Sequence, residues 1–292
     1  MEVGLREVGP RDGLQGERPL AVEARVELVR RLFAAGLRDV EVAAFVSPKA
    51  VPAMAGAAEV VASLLGAVPA GATMWALVPN RTGAELAGAA GVDHLTITIS
   101  ASAAYSEKNT RMTIGEAMAQ VAEIREAAPG AVLDEVISCC FGSPFEGEDV
   151  TPDDVAGFVE HAAAVGVDRV TLADTTGMAT PPRVAAVLDR AGTDVGLHLH
   201  DTRGTALLNA WTALERGVAR FDTALGGLGG SPFAPAAGGN LATEDVVHAL
   251  AGSGWTTGID LAALLDLGPQ LSALVGHAVP SRVAAALGPA RH

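Results

Sequence analysis

Short apolar runs alternate with helix-spaced apolar positions eight times along this 292-residue chain, and no other feature narrows its fold so far. The runs cover 3–8, 37–45, 73–78, 94–99, 131–140, 167–173, 195–200 and 219–224. Each has the length of a buried strand. Between them, Val22, Val26, Val29 and Phe33, and again Ile114, Met118, Val121 and Ile124, recur at helical spacing. Further helical stretches are expected at 48–65 and 82–90. Pro152 after Thr151, and Pro181-Pro182, stand where the first turn of a helix tolerates proline. Eight strand–helix units in about 250 residues predict an α/β fold, the (β/α)₈ TIM barrel. A doubly wound open sheet usually has fewer strands and a G-x-G-x-x-G loop after the first. Here Gly9-Pro10-Arg11-Asp12-Gly13 follows Val8 instead. Residues 1–292 are expected to form one barrel domain, with 255–292 as extra C-terminal helices at 260–274 and 280–287. These would pack on the barrel or on a neighbouring subunit, which makes a homodimer plausible.

Composition excludes several kinds of partner. Apolar residues make up 49% of the chain, enough for one sizeable core. A formal net charge of −14 argues against nucleic acid and against an anionic membrane surface. No apolar run reaches the roughly 18 residues of a membrane span. The N-terminus lacks a charged, then apolar, then small-residue leader, so a cytoplasmic protein is expected. Cys139 and Cys140 are adjacent in an apolar run and read as buried, unreactive thiols. Lys49 and Lys108 are the only lysines, which all but excludes a Schiff-base mechanism.

Polar residues collect where strands end, the face on which such barrels carry active sites. Arg11 and Asp12 follow the first strand, Glu41 lies in the second, and Asp174 ends the sixth. His198, His200 and Asp201 end the seventh, and Asn240 lies past the eighth. His198 and His200 are two apart on a strand and so share a face. A pair of imidazoles beside carboxylates suits a divalent metal, although two hydrogen-bonded core histidines would give the same pattern. Asp12 or Asp174 alone could be a loop cap. Together, the carboxylates, imidazoles and amide form a mixed N/O set fit for Mg²⁺ or Mn²⁺, with Zn²⁺ or Co²⁺ also accommodated. An arginine beside such a centre can bind a carboxylate or stabilise an enolate oxygen. The run Gly226-Gly227-Leu228-Gly229-Gly230-Ser231-Pro232-Phe233 has more glycines than a plain turn requires and reads as a mobile active-site loop.

Several of these segments, taken in order, resemble the hydroxymethylglutaryl-CoA lyase family, metal-dependent TIM-barrel lyases related to the isopropylmalate synthases. The matching stretches are Glu7-Val8-Gly9-Pro10-Arg11-Asp12-Gly13-Leu14-Gln15, Glu41 through Lys49, Ala173-Asp174-Thr175, His198-Leu199-His200-Asp201-Thr202, Gly227-Leu228-Gly229-Gly230 and Gly239 through Asp245. The resemblance implies a metal held by Asp12, His198, His200 and Asn240. It implies retro-Claisen cleavage of 3-hydroxy-3-methylglutaryl-CoA, or a close 3-hydroxyacyl thioester, to acetyl-CoA and acetoacetate. Asp12 or His198 would take the C3 hydroxyl proton, and Arg11 would stabilise the enolate. Glu41 and Asp174 would orient Arg11 and the metal surroundings. Substrate would be bound by Arg11, Gln15, Lys49 and Lys108, although Lys49, Lys108 and Arg111 read equally as solvated surface charges.

Two positions depart from the family pattern. Ser231 stands where the family carries a loop cysteine thought to act in proton transfer to the enolate carbon. A serine hydroxyl is a much weaker acid than a thiol, so Ser231 would depress the usual activity unless water or another group substitutes. Ala103 stands where the family often has an acidic residue. The departure at Ser231 keeps open a related aldolase or condensing enzyme with another substrate, and a non-catalytic paralogue. The long regulatory regions of isopropylmalate synthases and the docking domain of oxo-acid aldolases would need more chain than ends at His292.

Overall fold

A computed structural model of the chain describes residues 1–230 and 239–288. Its eight strands are β1 (Gly4–Glu7), β2 (Asp39–Ala44), β3 (Thr73–Leu77), β4 (His94–Ser100), β5 (Val132–Ser138), β6 (Arg169–Asp174), β7 (Gly196–Leu199) and β8 (Arg220–Thr223). Each pairs in parallel with the next, and β8 returns to β1 to close the barrel. The predicted fold is therefore the observed one, and every strand lies within its expected run to within a residue at either end. Parallel neighbours need a crossover, which this chain makes with amphipathic helices. On α1 (Val22–Ala34), Val26, Val29 and Leu32 face inward and are buried. On α7 (Pro181–Ala191), Val184, Val187 and Leu188 do the same. Each such side chain contributes about 1.5–3 kcal/mol by leaving water.

Two helical expectations change. The stretch 48–65 becomes a short 3₁₀ turn, Pro52–Met54, and α2 (Ala57–Leu64). Gly56 between them has φ +76°, which no continuous helix accommodates. The segment after β4, for which the sequence carries no helical expectation, holds α4 (Ala103–Thr110), capped by the Ser102 hydroxyl accepting from Tyr105 N. The intervening helices are α3 (Arg81–Ala90), α5 (Ile114–Ala127), α6 (Pro152–Ala164) and α8 (Ala206–Glu215).

After the barrel strands come α9 (Thr243–Leu250), α10 (Leu261–Val275) and α11 (Arg282–Leu287). α10 is joined to the barrel from both ends. Asp260 N donates to Ala35 O at 2.8 Å, and Arg18 Nη2 donates to Leu274 O at 2.8 Å. Asp245 on α9 accepts from Ser281 Oγ and Val283 N, fixing the start of α11. Among the described residues no helix is long and apolar enough to cross a membrane.

Inside the barrel the register sets the functional layer. Arg6 on β1 is level with Asp222 on β8, and Asp222 with His198 on β7. Below this layer Trp75 fills the bore, its ring 5.1 Å from both the Arg6 and Arg169 guanidiniums, and its Nε1 donates to Asp39 at 2.7 Å.

Candidate metal and acyl-thioester site

The chain leaves β1 through a tight five-residue π-helical turn, Gly9–Gly13. Within it Asp12 N and Gly13 N both reach Val8 O, at 2.7 and 3.2 Å. The turn directs Arg11 and Asp12 over the C-terminal mouth, where both are buried. β7 brings His198 and His200 to the same mouth, and the segment after β8 adds Asn240. Asp12, His198 and His200 each offer a donor atom, and these atoms lie within 4.8 Å of one another.

Hydrogen bonds fix the orientation of each group. Asn240 Nδ2 donates to Asp12 Oδ2 at 2.7 Å and to Leu228 O at 2.8 Å. Both partners are pure acceptors, so the amide cannot be flipped. Asn240 Oδ1 is consequently turned elsewhere, buried and without a partner. Buried carbonyl oxygens are rarely left so. Asp12 Oδ1 accepts from Arg11 Nη1 and from Gln15 Nε2, both at 2.8 Å. Arg11 Nε donates to Glu41 Oε2 at 2.5 Å. Among the described residues nothing receives a hydrogen bond from Arg11 Nη2. The two imidazoles meet Nε2 to Nε2 at 3.1 Å.

The electrostatics follow from burial and these contacts. Burial opposes ionisation of Asp12, but Arg11, His198 and Asn240 outweigh it and hold its pKa below the ordinary value. Burial, helped by His198, pushes the His200 pKa down to about 3. At neutral pH His200 is therefore an uncharged nitrogen donor.

Behind the mouth is a group that sequence reasoning missed. Asp222 Oδ2 contacts His198 Nδ1 at 3.1 Å. Arg6 grips the same carboxylate through Nε at 2.8 Å and Nη2 at 2.9 Å. Arg6 Nη1 continues to Asp134 at 2.8 Å, and Asp134 accepts from Thr171 Oγ1. Charged residues in the middle of otherwise apolar strands were the only available signal.

Two more carboxylates hold the base of the glycine-rich segment. Glu7 Oε1 accepts from Gly9 N and Leu225 N, both at 2.8 Å, while Thr243 Oγ1 donates to Oε2 at 2.5 Å. Glu244 Oε1 accepts from Gly226 N at 3.0 Å. Gly226, Gly227, Gly229 and Gly230 all have positive φ. At Gly229 a Cβ would stand 2.3 Å from Asn240 Nδ2 and 2.9 Å from Asp12 Oδ2. The Gly229→Ala variant is therefore expected to push Asn240 off Asp12 and to weaken divalent-metal binding about tenfold or more. Titration calorimetry with Mn²⁺ checks this, and unchanged affinity would contradict it.

Glu7 and Glu244 supply a pH dependence. Burial pushes both carboxyls up to about 7, from an ordinary 4.5. Between those values the folded chain keeps protons that the unfolded chain has released, so their contribution to stability falls as pH rises and levels off above 7. Glu244→Gln removes one such group. Relative to wild type it should gain up to about 3 kcal/mol of unfolding free energy between pH 4.5 and 8. Urea unfolding across that range reads the difference, and a pH-independent offset would contradict it.

The other expected site residues fare differently. Glu41 does orient Arg11. Asp174 does not. Its Oδ1 accepts from Met178 N and Ala179 N, shaping its own loop, and its buried Oδ2 has no partner. Gln15 reaches the site through Asp12. Lys49 and Lys108 are exposed beyond β2 and β4, on the same face as the mouth, but among the described residues no hydrogen bond or ion pair joins them to the cluster. Lys108 Nζ lies 5.4 Å from the Phe145 ring centre. Ser231, and with it Pro232 and Phe233 of the expected mobile loop, lies outside the described residues. Cys139 and Cys140 are buried, and burial pushes the Cys139 thiol up to about 12, as unreactive thiols require.

A closed (β/α)₈ barrel with a buried carboxylate–imidazole cluster beside an arginine at its C-terminal mouth defines a class of enzyme with a metal-compatible centre. Comparison with known proteins gives the family. The HMGL-like family model matches residues 2–270. The (R)-citramalyl-CoA lyase of Chloroflexus aurantiacus is 43% identical, over 96% of this chain and 93% of that protein. The hydroxymethylglutaryl-CoA lyase of Pseudomonas mevalonii is 41% identical, over 98% and 96%. A solved HMG-CoA lyase from Acinetobacter baumannii, in complex with coenzyme A and 3-methylmalate, superposes with a TM-score of 0.90 at 38% identity, covering 98% of this chain and 95% of that one. The chain belongs to the HMGL-like family and is a carbon–carbon lyase. Its relatives include mitochondrial and cytoplasmic lyases, so family membership does not fix a compartment.

Proposed function

We propose that this chain cleaves 3-hydroxy-3-methylglutaryl-CoA to acetyl-CoA and acetoacetate with a divalent metal, Mg²⁺ or Mn²⁺, held by Asp12, His198, His200 and Asn240. The observation that carries this reading is the buried cluster of Asp12, His198 and His200 donor atoms, with Asn240 bonded to Asp12 and its own Oδ1 buried and unpartnered. Ligands of one ion at about 2.1 Å stand roughly 3 Å from each other at right angles. The 3.1 Å between the two Nε2 atoms fits that spacing. Oxygen and neutral imidazole donors with no thiolate suit these metals.

When bound, such an ion supplies Lewis acidity, lowering the pKa of a substrate hydroxyl. Asp12 is the group aligned to accept that proton, since three donors fix its carboxylate in one pose. An acidified hydroxyl needs only a weak base. Departure of the hydroxyl's electrons into a new carbonyl breaks the C2–C3 bond, and the pair left on C2 becomes the acetyl-CoA enolate. Arg11 stabilises the enolate oxygen with the Nη2 edge that no group among the described residues uses. Glu41 keeps that edge in place by holding Nε. Protonation of the enolate carbon completes acetyl-CoA.

A second reading has specific support in the 43% identity to a citramalyl-CoA lyase. Citramalyl-CoA has the same tertiary alcohol two carbons from the thioester carbonyl, but its carboxylate arm is one methylene shorter. It would release pyruvate in place of acetoacetate. One methylene is worth about 10–200-fold in a fitted pocket. The two thioesters, supplied separately with Mg²⁺, should give faster acetyl-CoA release from the glutaryl compound, with acetoacetate as the keto acid. Faster pyruvate formation would replace the first reading with the second, and no acetyl-CoA from either would overturn both.

A further inference from the structure

We propose that Asp222, gripped by Arg6, is a positioning residue that fixes His198 in the Nδ1-protonated tautomer and so presents a bare Nε2 to the metal. The inference rests on the metal reading above and goes beyond its ligand set. Asp222 and Arg6 come from β8 and β1, on the side of the barrel where the first and last strands close, and both are buried.

The geometry allows one proton arrangement at His198. Asp222 Oδ2 receives Arg6 Nη2 at 2.9 Å and Oδ1 receives Arg6 Nε at 2.8 Å. A carboxylate under two guanidinium donors stays ionised and can only accept. The ring nitrogen 3.1 Å from it, His198 Nδ1, must therefore donate. Nε2 is then left as a lone pair facing the cluster, 3.1 Å from His200 Nε2. The two histidines are unequal in this respect. His200 Nδ1 is buried with no hydrogen-bond partner, so nothing behind it selects a tautomer. One imidazole is preset for the metal and the other is set by it.

The grip on Asp222 also predicts what an amide would do there. In Asp222→Asn the single oxygen cannot serve both Arg6 donors and His198. If the oxygen turns to Arg6 Nε, the NH₂ faces His198 Nδ1 and forces the proton onto Nε2, the wrong place for a ligand. If it turns the other way, the NH₂ confronts Arg6 Nε–H. Each arrangement opposes one guanidinium donor, Nη2 in the first and Nε in the second, so an amide no longer holds His198 in a single tautomer. Arg6→Lys keeps the charge but removes the two-point grip.

The test reads metal affinity and tautomer rather than turnover. Nitrogen NMR of the metal-free wild type at pH 8.5 should find His198 protonated at Nδ1. Mn²⁺ titration calorimetry should show Asp222→Asn binding about 10–100-fold more weakly than wild type, with Arg6→Lys between them. The NMR shifts of the Asn variant should report an Nε2-protonated fraction of His198 that the wild type lacks. A folded Asn variant with wild-type Mn²⁺ affinity would overturn the role of Asp222. An Nε2-protonated His198 in the wild type would do so even if neither variant folds. Wild type that takes up no Mn²⁺ would overturn the metal reading itself, and the tautomer spectrum distinguishes that failure from a failure of Asp222.

Discussion

Replacing His200 with alanine should weaken Mn²⁺ binding at least about 100-fold and lower turnover at least about 10³-fold, with little change in fold. Losing an orienting partner behind a metal ligand typically costs 10–100-fold, and losing the ligand itself should cost more. Without Lewis acid assistance, the C3 hydroxyl keeps its ordinary, very high pKa, and Asp12, whose pKa is held low, is too weak a base to take its proton. The fold should tolerate the change because His200 carries no charge at neutral pH, its pKa being about 3. No hydrogen bond at its Nδ1 is lost either. Calorimetry with Mn²⁺ and a coupled acetyl-CoA assay measure both effects, with circular dichroism as the check on folding. A folded variant that keeps tight Mn²⁺ binding would remove His200 from the ligand set.

Arg11→Lys should lower kcat by about 10²–10³-fold and change KM by no more than a few fold. The guanidinium holds Glu41 through Nε and Asp12 through Nη1 at once, with Nη2 unbonded among the described residues. An ammonium is a point charge that cannot span both partners and still offer a third donor in a set direction. Loss of one preorganised oxyanion donor costs roughly 10²–10³-fold in kcat. The lysine charge still faces the fully buried Glu41, so the variant should fold. If KM rises by the full factor while kcat stands, Arg11 acts in ground-state binding and not on the enolate.

Much of this architecture can be read from residue order because the barrel is repetitive. Eight apolar runs of strand length leave little choice of topology, and a barrel's mouth must lie at its strand ends. Arg11, Asp12, Glu41, His198, His200 and Asn240 were identified that way, and the structure brings all six together. Asp222 and Arg6 were not, because their meaning depends on the closure of β8 on β1, a pairing between residues 216 positions apart. In the sequence a charged residue inside a strand is only an oddity. The hydrogen bonds of Asp174 were hidden for a related reason. Its place at the end of β6 was legible, but not that the Met178 and Ala179 amides donate to its oxygen. The shortened α2 turned on the backbone of Gly56, and α4 on a serine cap in a stretch with little apolar periodicity.

The most direct test of the account is metal dependence of bond cleavage. Protein stripped with a chelator and transferred to metal-free buffer should release no acetyl-CoA from 3-hydroxy-3-methylglutaryl-CoA. Addition of Mg²⁺ or Mn²⁺ should restore turnover, saturating at one ion per chain. Full turnover by verifiably metal-free protein would contradict the reading of Asp12, His198, His200 and Asn240 as a catalytic metal centre.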